Sequence, residues 1–391
     1  MPPRRVLLAY LNTGGGHRSA ALAVAEALEE RHGENVQINL VDVTAEHFPW
    51  PLSKLSVIYD WLVRLNGLPW AIIYHLTNGP RRVAMLRHGW WILTKRPILD
   101  LLGDCPGDVI LCCHPLLRAP LSQALRAEGR KTPLITLVTD LASGHATWFH
   151  PQEGSCIVAT EQARAEALAC GYPAKSVEMT GLPVRPCFAR AAERDRAATR
   201  EDLGLGVDRP VVLLLSGADG MGPFYSLVRL IMAETEDVQV VAITGRNERL
   251  RAKLTARAWQ QRLWVKGFVE NIQDWMQAAD LLVTKAGPAT ITEAFVVGTP
   301  MILSGAIPGQ EPPNVTYALE TGAAIWAPQP AQAAEAVKEL LSAESKKLQQ
   351  MTENARGAAC PEAAWRVADI VWSAADRSTR RSGQVPIWPD R

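Results

Sequence analysis

No stretch of about 18 uncharged apolar residues occurs in this 391-residue chain, so nothing in it is suited to crossing a bilayer as a helix. Charge of one sign is missing too. Lys and Arg number 41 and Asp and Glu 40, a net +1 that excludes a globally basic nucleic-acid binder. The seven cysteines, an odd number, form no C-x-x-C pair and no zinc-building spacing, and they read as reduced thiols of a cytosolic protein. The first apolar run, RVLLAYL, is too short for a signal peptide and reads as a buried strand. What is present is apolar mass: 48% hydrophobic against 21% charged residues, at a length beyond one ordinary core, predicts two domains.

RVLLAYL (5–11) leads through a glycine cluster into SAALAVAEALEE, whose apolar spacing is helical. The same strand, turn and helix grammar recurs at VQINLVDV, DVILCCHP, PLITLVTDL and SCIVAT. After a charged, alanine-rich connector (192–210) a second series follows: PVVLLLSGADG, VQVVAITGRN, LWVKGFV, DLLVTKAG and PMILSGAIPG. Alternating β and α units imply two α/β halves with parallel sheets, and ligands in such sheets sit at the carboxyl ends of the strands. The active site is expected between the halves.

Residues 48–96 break this grammar. They hold Trp50, Trp61, Trp70, Trp90 and Trp91, with seven basic residues, Arg81 and Arg82 among them, against the single acid Asp60. Such a stretch suits the interface of an anionic bilayer, where rings bury at headgroup depth and cations meet lipid phosphates. Core helices with tryptophan packing fit the same composition. The tail RSTRRSGQVPIWPDR reads as disordered.

Three clusters carry candidate chemistry. Thr13-Gly14-Gly15-Gly16-His17-Arg18-Ser19 joins a strand to a helix; its glycines permit close backbone approach, and the helix start offers N–H groups to an anion. It is neither a dinucleotide fingerprint nor a Walker loop, and a plain tight turn also fits. Ser216-Gly217-Ala218-Asp219-Gly220-Met221-Gly222 follows another strand and can cradle a diphosphate through its amides, or be simply a glycine-rich turn. The third, 280–314, puts Lys285-Ala286-Gly287-Pro288-Ala289-Thr290 at a helix start, Glu293 where a carboxylate can accept from a ribose diol, and Gln310, Glu311 and Asn314 in a loop after the next strand. No D-x-D pair occurs, so no metal is expected to neutralise a diphosphate.

These stretches, with TDLASGHATWFHP, TGLPV, TGRNERL and KGFVENIQDWM in the same order, resemble the monogalactosyldiacylglycerol synthase and processive diacylglycerol glycosyltransferase family, related to MurG, over roughly residues 4–375. The resemblance implies the GT-B fold, two Rossmann-like domains with a cleft between them. It divides the chain into an acceptor and membrane-associating domain (1–192), a UDP-sugar domain (205–358), a helix returning to the first domain (359–377) and a tail (378–391). It implies that Phe268 and Val269 lie near uracil and that Glu293 binds ribose. Ser216, Gly217, Gly220, Met221 and Gly222 with Thr290 would surround the diphosphate, and Gln310 and Glu311 would contact the hexose. Gly16, Thr244, Gly245, Arg246, Gly267, Lys285, Ala286, Gly287, Pro288 and Asn314 complete the implied donor set. His17 is the family's required histidine, and Asp140 and His145 lie in the matching acceptor-side loop. Pro312-Pro313 departs from the Lys-Gly of the plant synthases and bears on the shape of the sugar-contacting loop.

The implied reaction is an inverting transfer of a hexose, galactose favoured, from a UDP-sugar to diacylglycerol, with Asp140, or His17 acting with it, as the base. No cofactor or metal is expected, and the partners are UDP-sugar, diacylglycerol and an anionic membrane surface, with no nucleic acid. Trp61, Trp70, Arg81, Arg82, Trp90 and Trp91 are the expected membrane and acceptor residues. The expected location is cytoplasmic, on the inner face of the cell membrane. Competing readings are a glucose-transferring or processive diacylglycerol enzyme, MurG-like transfer of GlcNAc to a polyprenyl-linked acceptor, a nonhydrolysing UDP-sugar epimerase, and a noncatalytic UDP-sugar sensor at a membrane.

Overall fold

The computed structural model describes residues 2–65, 67–149, 154–216, 223–257, 259, 261–342 and 345–382. The described chain separates into two compact units, Met1–Leu62 with Ile72–Arg185 and Glu362–Arg391, and Val63–Ala71 with Pro186–Pro361. The second unit starts at Pro186, ahead of the expected connector. Phe188 in the helix Pro186–Ala192 is buried, and Arg194 and Arg196 pair with Asp274 (2.9 Å) and Asp280 (3.1 Å) of that unit.

In the first unit six parallel strands run in the order β2-β1-β3-β4-β5-β6: β1 Arg4–Tyr10, β2 Val36–Asp42, β3 Val109–Cys112, β4 Leu134–Leu137, β5 Ser155–Val158 and β6 Val177–Met179. Val6, Leu7, Leu8 and Ala9 are fully buried, as a central parallel strand covered on both faces demands. Gly14 and Gly15, at φ +68° and +80°, take the chain from β1 into the helix Gly16–His32 through backbone conformations that side chains disfavour. The last helix, Ala363–Ser382, lays buried Ala364, Val367, Ala368 and Val371 in the core that holds Ala20, Val24 and Ala27 of that helix. Arg31 pairs with Asp369 at 2.5 Å, and His32 stacks on Trp372 at 3.7 Å. The helix runs on to Ser382, so the expected disordered tail is helical over its first residues; 383–391 lie outside the described residues.

The second unit has the strand order β12-β11-β10-β7-β8-β9, again all parallel: β7 Val211–Leu215, β8 Gln239–Ile243, β9 Leu263–Lys266, β10 Leu281–Lys285, β11 Met301–Gly305 and β12 Ala324–Trp326. This is the Rossmann order 3-2-1-4-5-6. Sequence reading missed β6 and β12. Each is a three-residue edge strand: β6 (VEM) has a charge at its centre, and β12 (AIW) is too short to show a strand period.

Residues 48–96 fold mainly into the helices Leu55–Arg64 and Leu68–Thr77 and most of Pro80–Asp104. Among the described residues no helix is long and apolar enough to cross a membrane.

Candidate active site

An open α/β sheet binds ligands where strand order reverses, because the loops leaving the two central strands diverge there and open a crevice. In the first unit that point lies between β1 and β3. The loop after β1 supplies Thr13 and the first turn of the helix Gly16–His32 supplies His17, and the residue that caps the helix after β3 is His114, whose Nδ1 accepts from Leu116 N–H at 3.2 Å. An acceptor Nδ1 leaves the proton on Nε2, which lies 3.0 Å from Thr13 Oγ1. His17 Nδ1 lies 2.6 Å from Thr139 Oγ1 at the end of β4, and the two imidazoles meet edge to face at 4.4 Å.

Burial sets the charge state of this cluster. His17 is pushed down to about 4 by desolvation, which its hydrogen bond to the Cys113 backbone opposes only in part. His114 falls well below the ordinary range for the same reason, with His17 beside it adding to the drop. Both rings are therefore neutral near pH 7.

Asp140, the residue after Thr139, is buried, and its Oδ2 accepts the indole N–H of buried Trp148 at 2.6 Å. Gly144 makes room for that bond: a Cβ there would stand 2.8 Å from Trp148 Cδ1 and 3.6 Å from Asp140 Oδ2. The segment SGHATW is thus read physically as a glycine that lets a tryptophan reach back to the carboxylate. His114, Thr139 and Trp148 were not singled out from sequence. The available signal was His114-Pro115 after a strand, a cap followed by a proline at the first helical position.

His145, expected to be catalytic, is occupied otherwise. Its Nδ1 accepts Thr147 N–H at 3.3 Å and caps the short turn Ala146–Trp148, its Nε2 lies 3.1 Å from Thr77 Oγ1, and Tyr74 packs edge-on at 5.0 Å. With both ring nitrogens engaged inside the fold, and the imidazole pushed down to about 4 chiefly by burial, it holds the loop in shape.

The corresponding reversal in the second unit lies between β7 and β10; Ser216 follows β7, and Lys285 ends β10 ahead of Ala286-Gly287. Lys285 Nζ meets Glu311 Oε1 at 2.5 Å, and Glu311 Oε2 accepts Ile307 N–H at 2.7 Å. Glu311 is only 2% exposed, and a carboxylate so buried persists because each oxygen has a donor. Gly287 caps the helix Pro288–Val297; a Cβ there would fall 3.2 Å from Lys285 Nζ, crowding the ion pair. Thr290 and Glu293 stand on that helix, both partly open to solvent. A cavity of about 470 Å³ is lined by Ser216, Asn247, Lys285, Ser304, Ile307 and Pro308, among others.

Other donor-set residues divide by what holds them. Phe268 is 64% exposed with the Arg246 guanidinium 5.8 Å from its ring, an open platform beside a cation. Thr244 is buried with its hydroxyl donating to Lys266 O at 3.2 Å, which braces a strand end; Asn314 is buried with Nδ2 donating to Ala286 O at 3.1 Å, while its Oδ1 has no hydrogen-bond partner among the described residues. Gly245 takes φ +59° in the turn after β8, Gly16 opens the helix after β1, and Gly267 and Val269 flank Phe268 after β9. Gly217, Gly220, Met221 and Gly222 lie outside the described residues.

The Trp-rich segment also divides. Trp61 is exposed, along with Trp50, Val57, Ile72, Leu76, Met85, Ile92 and Leu93. Trp90 and Trp91 do not share that face: both pack on the first unit's core, and the Trp90 indole donates to Leu116 O at 2.8 Å. Arg81 and Arg82 are both exposed, and the Arg82 guanidinium donates to the carbonyls of His75 (2.7 Å) and Asn78 (3.1 Å). Trp70 is half-buried, its indole donating to Gln310 Oε1 at 3.1 Å.

A family model described as monogalactosyldiacylglycerol (MGDG) synthase matches residues 17–184, and one for the glycosyltransferase family 28 C-terminal domain matches 211–367. The chain is 34% identical to monogalactosyldiacylglycerol synthase 1, chloroplastic, of Arabidopsis thaliana over 93% of its own length and 70% of the relative's. It is 35% identical to the Spinacia oleracea synthase over 93% and 71%. The chain belongs to the monogalactosyldiacylglycerol synthase family. As a member of that family it is a glycosyltransferase, and its two parallel sheets have the GT-B fold. Acinetobacter baumannii MurG superposes with a TM-score of 0.58 at 16% identity, covering 95% of this chain and 100% of that one. S. aureus MnaA, solved with UDP, gives 0.60 at 13%, covering 99% of each.

One expectation falls here. The cytoplasmic location does not stand, because the plant synthases similar to this chain are named as chloroplastic proteins.

Proposed function

We propose that this glycosyltransferase moves a hexose, galactose favoured, from a UDP-sugar to the free hydroxyl of 1,2-diacylglycerol and forms a β-glycoside. The observation that carries the reading is likeness over 93% of the chain to proteins named for monogalactosyldiacylglycerol synthesis. The reaction needs a base for the hydroxyl proton, protein groups for the departing diphosphate and a way to reach a lipid.

Asp140 takes the proton as the hydroxyl oxygen attacks the anomeric carbon. Trp148 holds one carboxylate oxygen and so fixes the orientation of the other, while neutral His17 at the same switch point orients the hydroxyl. The bond from the anomeric carbon to the UDP oxygen breaks with inversion, and the electron pair leaves on UDP. Lys285 and the amides at the start of the helix Pro288–Val297 meet that charge without a metal. Gln310 reads the hexose, Glu311 holds the loop that carries it through Lys285 and the Ile307 N–H, Glu293 meets the ribose, and Phe268 stacks near the base. The exposed apolar side chains of the helices from 55 to 104, with Arg81, rest on a bilayer that contains anionic lipid.

The test is purified protein on diacylglycerol vesicles, each UDP-hexose in turn, with and without EDTA, followed by mass and anomeric analysis of the lipid. A β-monohexosyl product with the highest rate from UDP-galactose, unchanged by EDTA, is expected. No glycolipid from any donor, with ManNAc released from UDP-GlcNAc instead, replaces the reading by an epimerase.

A further inference from the structure

Trp70 belongs by composition to the lipid-facing stretch, yet the segment that carries it, Val63–Ala71, which runs from the end of one helix through a turn into the start of the helix Leu68–Thr77, clusters with the second unit. Three observations tie this turn to the loop 306–311. The Trp70 indole N–H donates to Gln310 Oε1 at 3.1 Å across 240 positions of sequence. Gly67 sits at φ +68°, and a Cβ on it would fall 2.5 Å from Pro308 Cδ, so only glycine lets the turn approach that closely. Val63, Arg64 and Gly67 line the same cavity of about 470 Å³ as Lys285, Ser304 and Pro308.

The loop is thus held at two places. Its backbone is fixed by Glu311, which takes Lys285 on one oxygen and Ile307 N–H on the other, and the side chain of Gln310 is fixed by Trp70. An indole N–H only donates, so it selects one of the two orientations of the Gln310 amide: the oxygen faces Trp70 and the NH₂ is turned the other way. The group Gln310 offers a sugar is then a donor. A hexose hydroxyl that accepts in the right direction is favoured over its epimer, and galactose and glucose differ only in the direction of one hydroxyl.

We infer that Trp70 is a positioning residue for donor-sugar recognition: it orients Gln310 and thereby sets selectivity between UDP-hexoses. This rests on the assignment of Gln310 to the hexose made above. Trp70→Phe keeps the ring and removes the N–H. Its UDP affinity, by calorimetry, should stay within about twofold of wild type, whereas KM for the preferred UDP-hexose should rise about fivefold with little change in kcat, the loss of one neutral hydrogen bond. The ratio of kcat/KM between UDP-galactose and UDP-glucose should narrow by a similar factor. Gly67→Ala should reproduce the pattern by pushing the turn off Pro308. In Gln310→Met, adding Trp70→Phe should change neither KM nor selectivity further, since the amide that the indole N–H orients is already gone.

Unchanged KM and selectivity in Trp70→Phe overturn the inference. So does a loss of UDP affinity equal to the loss for UDP-hexose, which would make Trp70 a mere wall of the cavity, or a further loss in the double variant. Failure of the underlying reading looks different: wild-type protein that turns over no UDP-hexose.

Discussion

The two units use the same scaffold, a six-stranded parallel sheet with its candidate chemistry at the point of strand-order reversal, and they solve the burial of polar groups in opposite ways. In the first, His17 and His114 sit in surroundings that favour the uncharged ring, so they stay neutral at working pH. In the second, the buried carboxylate Glu311 is retained by giving one oxygen to Lys285 and the other to a backbone N–H. A crevice that keeps its imidazoles neutral suits an uncharged alcohol that must lose a proton, and one with a fixed cation suits a nucleotide diphosphate. The difference teaches that the fold supplies the place and the local pairing supplies the chemistry.

The most direct way to break this contrast is at His17. His17→Ala should lower transfer by about 10²- to 10⁴-fold while UDP affinity holds, because the missing group serves only proton movement and orientation; parallel rate and calorimetric measurements check it, and a loss of UDP binding would merge the two roles. Lys285→Ala strikes the other side. It should destabilise the protein by about 2–3 kcal/mol in denaturant titration, at the low side for a broken buried pair because the Lys285 end is partly open to water, and it should weaken UDP binding.

Trp148→Phe tests whether the carboxylate's partner matters: transfer should fall roughly tenfold with donor KM unchanged, as one hydrogen bond to a buried carboxyl is lost. Acid should separate the units as well. The folded-state values of His17 and His145 lie at about 4, below that of a free imidazole, so the unfolded chain binds protons that the native chain does not. Stability is then fully present above about pH 6.5 and falls toward pH 4, by about 1.4 kcal/mol per pH unit for each imidazole, as melting curves across that window would record. The smallest effect is expected outside both crevices. Trp61→Ala should weaken binding to anionic vesicles by about 1 kcal/mol in a flotation assay and leave the melting temperature unchanged.

Much of the fold was legible because long buried strands write themselves as apolar runs: Val6–Ala9, Val211–Leu214 and Leu281–Val283 are almost entirely buried and were read directly. The edge strands β6 and β12 were not, since three residues are too few to show a strand period. In the site, Lys285, Glu311, His17 and Asp140 were picked out by motif. Their partners Thr139, His114 and Trp148 were missed because Ser, Thr, Trp and His residues inside loops look alike until something stands beside them. His145 and Thr244 show the converse: polar residues within recognised motifs whose hydrogen bonds go to the fold, a use that no motif announces. Trp90 and Trp91 show it for composition, which counts tryptophans without saying which way a helix turns them.

Sequence by itself determined the class of scaffold, the family and the strand ends where function sits, because apolar periodicity and glycine-bearing turns are local properties of the chain. The charge state of His17, the bond from Trp148 to Asp140, the clamp on Glu311 and the turn of Trp70 toward Gln310 were decided only in three dimensions. Each depends on desolvation or on a partner distant in sequence. Energies of that kind exist only once packing has removed the water and brought the second group within reach.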